Sequence, residues 1–118
     1  MMKIQLFNKE QQTESMAAGQ TVFSEGEKGE AMFAVLDGEV DIVIRGKVVE
    51  TIGAGGVFGE MALFDDSPRA ASAVIKNDAR LVRIDQRRFM FLVQQNPYFA
   101  LQLMSILAGR LRKFNERL

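Results

Sequence analysis

From Thr21 onward, short apolar runs recur between glycines: Thr21–Ser24, Ala31–Leu36, Val40–Ile44, Val48–Ile52, Ala70–Lys76 and Leu81–Ile84. Each is near the usual length of a β-strand and their spacing is that of a meander. Asp37-Gly38 and Arg45-Gly46-Lys47 lie between runs, and each supplies a residue that tolerates positive φ, so each predicts a tight hairpin. In Val40–Ile44 and Lys47–Ile52 the alternation of apolar and polar positions is imperfect. That predicts strands with one face buried and the other partly covered, as in a sandwich or closed barrel. No βαβ rhythm appears, which argues against a doubly wound nucleotide fold.

After Ile84 the apolar period changes from two to about 3.6. Asp85 is a natural N-cap for a helix through about Gln95. Asn96-Pro97 then breaks the chain and starts a second helix, since proline is tolerated in a first turn. In that helix Leu103, Leu107, Leu111, Phe114 and Leu118 form one apolar stripe, flanked by Arg110, Arg112, Lys113 and Arg117. The stripe suits packing on the barrel, closing over a site as a lid, or pairing with a second copy. Residues 1–15 read as a polar lead-in, with Ile4, Leu6 and Phe7 as an extra strand or docked arm, ahead of a domain spanning 16–118. No internal repeat or linker divides it.

The length of 118 residues allows one domain, and 47% hydrophobic residues fill an ordinary core. The absence of His and Cys removes imidazole bases, thiol nucleophiles, disulfides and the commonest metal ligands. Lys+Arg and Asp+Glu balance at 15 each, so no basic footprint for nucleic acid or an anionic membrane exists, and any anion needs a local site. The longest apolar stretches are far short of the roughly 20 residues that span a bilayer. The N-terminus lacks the pattern of a secretory signal. A cytoplasmic protein is the expectation. The seven methionines read as core filler, and Asp65-Asp66 as a turn without further metal ligands in range.

The chemistry-bearing stretch is Gly53 to Ala73. Its glycines at 53, 55, 56 and 59 fit neither the dinucleotide fingerprint nor the phosphate loop, because position 58 is Phe and no Gly-Lys-Ser/Thr follows. What remains is a glycine-rich approach to one helical turn, Glu60-Met61-Ala62-Leu63, closed by Asp65-Asp66-Ser67-Pro68 and followed by Arg69 at the start of a strand. Free amides at the first turn of a short helix favour an anion, and Gly59 lets it come close. Arg69 supplies a planar fork suited to two phosphate oxygens. Glu60 would repel a phosphate unless it accepts from a neighbouring hydroxyl, and a ribose 2′-hydroxyl is such a donor. Small residues Ala62, Ala70 and Ala71 leave room. Taken singly, Arg69 reads as a surface ion-pair partner and Glu60 as a helix-dipole residue. Gly53, Gly55 and Gly56 read as turn glycines, and Ser72 as either strand filler or a phosphate-side hydroxyl.

Phe58-Gly59-Glu60-Met61-Ala62-Leu63 with Pro68-Arg69-Ala70-Ala71-Ser72 resembles the phosphate-binding cassette of cyclic nucleotide-binding domains. The resemblance runs from about Met16, through Gly26-Glu27-Lys28-Gly29-Glu30 and Leu36-Asp37-Gly38-Glu39-Val40, to the last helix. It implies a mainly β fold with C-terminal helices. This would be an eight-stranded double-stranded β-helix, a jelly-roll-like β-roll, with a short cassette helix and B and C helices. It also implies that Gly59 and Ala62 offer amides to a cyclic phosphate, with Met61 between them. Glu60 would accept from the ribose, and Arg69 would bind an exocyclic oxygen. Ala70 stands where a hydroxyl often accompanies cyclic GMP, so cyclic AMP is the first expectation and cyclic GMP the second. Val49, Leu111 and Phe114 are candidates for the base pocket.

The 118 residues themselves contain no helix-turn-helix, kinase or channel segment. The expectation is therefore a stand-alone, non-enzymatic sensor or an excised regulatory domain. Its last helix would relay occupancy to an unidentified protein or to a second copy. The alternative is a ligand-free β-roll serving interaction or dimerisation, although Glu60 and Arg69 are both retained. A metal-dependent β-barrel enzyme fares worst, for want of histidine.

Overall fold

The computed structural model describes residues 12–116. Six strands form one antiparallel system: β1 (Glu14–Met16), β2 (Thr21–Phe23), β3 (Ala31–Ile44), β4 (Lys47–Ile52), β5 (Val57–Phe58) and β6 (Ser72–Asp85). A 3₁₀ turn, Glu60–Leu63, interrupts them, and α1 (Gln86–Gln95) and α2 (Pro97–Glu116) follow. The two 14-residue strands β3 and β6 pair along their length, from Ala31 opposite Asp85 to Val43 opposite Ser72. The shorter strands dock on them: β1 and β2 on β6, β4 and β5 on β3. The result is the expected mainly β roll with C-terminal helices. Glu14 and Ser15, placed above in the lead-in, are the first residues of β1, whereas Ile4, Leu6 and Phe7 lie outside the described residues.

One of the two expected hairpins forms. Arg45 and Gly46, at φ of 51° and 79°, join Ile44 to Lys47 in a two-residue turn. The hairpin expected at Asp37-Gly38 does not form, because the chain runs on as β3. Gly38 has φ of 86°, and a Cβ there would lie 2.3 Å from the carbonyl oxygen of Asp78, so glycine permits a close crossing of β6. The β3–β6 register shifts between Val35 and Val40, and this irregularity bends the ladder. Asp37 is held there by Arg80, whose Nε donates to its carboxylate at 2.6 Å. Likewise Ala70–Lys76 and Leu81–Ile84 merge into β6, which begins at Ser72 and not at Arg69. The expected eight strands are therefore six among the described residues, with β3 and β6 each covering two of the apolar runs.

Burial follows the pleat. Along β3, Phe33 and Val35 face the interior of the roll with Phe58, Ile75 and Leu81, while Met32 and Ala34 face Phe99, Leu103 and Ile106 of α2. Both faces are covered, so Ala31–Val35 is apolar without alternation. Asp85 caps α1 by accepting from the Arg88 amide at 2.8 Å, and Pro97 opens α2, both as expected.

Candidate functional site

The glycine-rich turn from Gly53 to Gly56 returns the chain to β5, which pairs Phe58 with Phe33. Gly59 follows at φ of 75°, and a Cβ on it would sit 2.8 Å from Nη1 of Arg69. Glycine is needed there for backbone and space together. The chain then enters the 3₁₀ turn, and Ser67, donating its amide to Asp65 at 2.9 Å, helps close the loop that returns to Arg69.

Arg69 is fixed from several directions. Its amide donates to the carbonyl of Glu27 at 2.7 Å, and its carbonyl accepts from Gly26 at 2.8 Å. In the side chain, Nη1 donates to the Gly59 carbonyl at 2.9 Å and Nη2 to the Ala31 carbonyl at 2.6 Å. The guanidinium lies over the Phe23 ring, Cζ 3.8 Å from the centroid. Gly29 packs so close that a Cβ there would lie 2.7 Å from Nε. Burial pulls the Arg69 pKa down, against the opposing effect of Glu60 and Glu27. Its buried Nε has no hydrogen-bond partner. A positioned, partly desolvated cation with a spare donor is a strong anion ligand.

Glu60 is the only charged residue in the core among the described residues, 6% exposed. Its Oε1 accepts from Nη1 of Arg110 at 2.7 Å, and Arg110 also donates to the Val57 carbonyl. Nε of Arg110 stands 3.6 Å from the Glu50 carboxylate. The buried acid is thus balanced by an arginine brought in by α2.

These groups enclose a cavity of about 290 Å³. Of the residues singled out from sequence, Gly59, Glu60, Met61, Ala62, Arg69, Ala70 and Ala71 line it together. Ser72 does not. Its hydroxyl accepts from the Glu25 amide at 2.9 Å and so ties the β2–β3 loop to β6. Val49, Leu111 and Phe114 also lie off the cavity. Val49 is the extra residue of a bulge, since Ile42 pairs with Glu50 and Val43 with Val48. Glu50, and not Val49, therefore pairs with Ile42 and shares its face. Leu111 and Phe114 are 62% and 60% exposed.

The buried stripe of α2 is Phe99, Leu103 and Ile106, and its next step is Arg110, so the inward face ends on a charge. Leu103 and Leu107 of the expected stripe pack on the core, and Leu118 lies outside the described residues. Sequence reasoning missed Phe23, Glu50 and Arg110 as wall residues. Arg110 is in register with the buried stripe, and its charge finds a buried partner in Glu60.

The family profile of the cyclic nucleotide-binding domain matches residues 13–96. The chain belongs to that family. Among curated relatives, the CRP-like cAMP-activated global transcriptional regulator of Mycobacterium tuberculosis is 32% identical, over 98% of this chain and 54% of that protein. The cyclic AMP receptor protein of Thermus thermophilus is 32% identical, over 80% of this chain and 46% of its own length. The chain thus spans about half the length of these regulators. The solved structure of Thermus thermophilus catabolite activator protein superposes at a TM-score of 0.81 and 30% identity, over 95% of this chain and 55% of that one. A cAMP-bound PfPKA-R structure follows at 0.71 and 28%, over 89% and 35%.

Proposed function

We propose that this domain is a sensor that binds a cyclic nucleotide, cyclic AMP in the first instance and cyclic GMP in the second, and that its function is binding without turnover. The observation that carries the reading is the pairing across one cavity of Arg69, with an unpartnered buried Nε, and the buried carboxylate of Glu60. The phosphate would meet Arg69 and the amides of Gly59 and Ala62, and the ribose 2′-hydroxyl would donate to Glu60. Met61, Ala70 and Ala71 would shape the walls, and Ser72 would hold the loop from behind. Relatives named for cyclic AMP support the choice of ligand.

Relay would pass through α2. Arg110 ties that helix to the ribose acid, and a ligand moves the helix only by binding its two positions unequally. Leu111 and Phe114 would reach the base only after such a movement. Output would go to an unidentified protein or to a second copy. For the second, exposed Leu101, Met104, Ala108, Leu111 and Asn115 fall at alternating steps of three and four, the seam of a two-stranded coil. Among the described residues no helix is long and apolar enough to cross a membrane.

Titration calorimetry against cyclic AMP, cyclic GMP and a cyclic dinucleotide tests the reading. Saturable cyclic AMP binding is expected, with Arg69→Ala losing about a hundredfold in affinity while remaining folded. No binding by the wild-type domain would favour the ligand-free interaction module, and near-normal affinity in the variant would remove the role of Arg69.

A further inference from the structure

Glu50 is a charged side chain on the cavity wall for which the sensor reading has no use. Arg69 belongs to the phosphate end, Glu60 to the ribose, Arg110 to Glu60, and Asp65 to the turn it makes with Ser67. Glu50 pairs with Ile42 across the β3–β4 ladder and shares its face, and both line the cavity. Its carboxylate is 3.6 Å from Nε of Arg110, and that buried Nε has no hydrogen-bond partner. The contact is an ion pair without a hydrogen bond, and it leaves the carboxylate oxygens open to another donor.

The position of Glu50 gives this freedom meaning. Arg110 holds Glu60 at 2.7 Å through Nη1 and faces Glu50 through Nε, so the two carboxylates stand about one guanidinium apart. In a 3′,5′-cyclic nucleotide the base leaves the sugar at C1′, the neighbour of the carbon bearing the 2′-hydroxyl. With the 2′-hydroxyl seated on Glu60 the base extends from the adjacent carbon, and Glu50 and Ile42 are residues of the same cavity wall that it can meet. An ionised carboxylate only accepts hydrogen bonds. It rewards a base edge carrying N–H and penalises one presenting lone pairs alone.

We propose that Glu50 is a specificity-determining residue, accepting a hydrogen bond from an N–H on the edge of the bound purine. The proposal rests on the sensor reading. Its donor is the 6-amino group of adenine or the N1–H and 2-amino edge of guanine.

Calorimetry with cyclic AMP, cyclic GMP and the 3′,5′-cyclic monophosphate of unsubstituted purine riboside, which has no N–H on its base, tests the proposal and separates the two sources. Wild type should bind one of the first two about tenfold tighter than the third. Glu50→Leu should abolish that discrimination, the preferred nucleotide losing affinity and the unsubstituted one keeping or gaining it. Glu50→Gln keeps the volume and adds a donor, so it should raise the affinity for the unsubstituted nucleotide. This gain is not expected if Glu50 only braces Arg110. Equal weakening of all three nucleotides in Glu50→Leu, no gain in Glu50→Gln, or no discrimination by wild type would overturn the proposal. Wild type binding none of the three would overturn the sensor reading itself.

Discussion

The Glu60–Arg110 pair joins the cassette to α2 through two side chains that are 8% and 20% exposed. A buried pair of this kind adds little net stability, but breaking it leaves an uncompensated charge in the core. Arg110→Ala is expected to lower unfolding stability by about 3 kcal/mol, measured by urea titration. Adding Glu60→Gln removes the stranded charge and should restore much of the loss, so a double-mutant cycle gives a large coupling. Additive effects would mean that the carboxylate finds other partners or water.

At the scale of elements, two dipeptides of similar appearance behave differently. Asp37-Gly38 and Arg45-Gly46 both lie between apolar runs, yet only the second reverses the chain. The difference is tertiary. Gly38 sits where β6 crosses with no room for a Cβ, and Gly46 has nothing within reach. Arg45 itself is the only non-glycine at positive φ among the described residues, a conformation that costs most L-residues about 1 kcal/mol and asparagine less. Arg45→Asn should therefore raise stability by about 0.5 kcal/mol, readable as a higher thermal midpoint, and a lower midpoint would show that the arginine side chain contributes more than its backbone costs.

Legibility from sequence divides in the same way. The cassette from Phe58 to Leu63, Arg69, the cap at Asp85 and the break at Pro97 were readable because each depends on neighbours in the chain. The cavity wall beyond the cassette was not. One bulged residue, Val49, reverses the parity of β4 and exchanges Val49 for Glu50. In α2 the apolar stripe Leu107–Leu111–Phe114 looked continuous, whereas the face that packs runs Phe99–Leu103–Ile106–Arg110. Which of two adjacent helical faces is buried depends on how the helix crosses the roll, and nothing local encodes that.

On the scale of the whole molecule, α2 is held unevenly. Its first half is anchored by Phe99, Leu103 and Ile106 in the core cluster shared with β3 and β6, and its second half reaches the roll through Arg110. Residues 111–116 are all exposed. Hydrogen exchange should accordingly be fast beyond Arg110 and slow around Leu103 in the free domain. Saturating cyclic AMP, at 100 times Kd, stabilises the folded state by about 2.7 kcal/mol and slows every amide that exchanges by global unfolding. Amides near residue 114 exchange by local fraying, which that linkage does not touch. If occupancy draws the end of α2 over the base, those amides alone report it, by slowing at least about tenfold. Protection confined to the strands would leave the domain a binder of cyclic nucleotide whose last helix carries no signal.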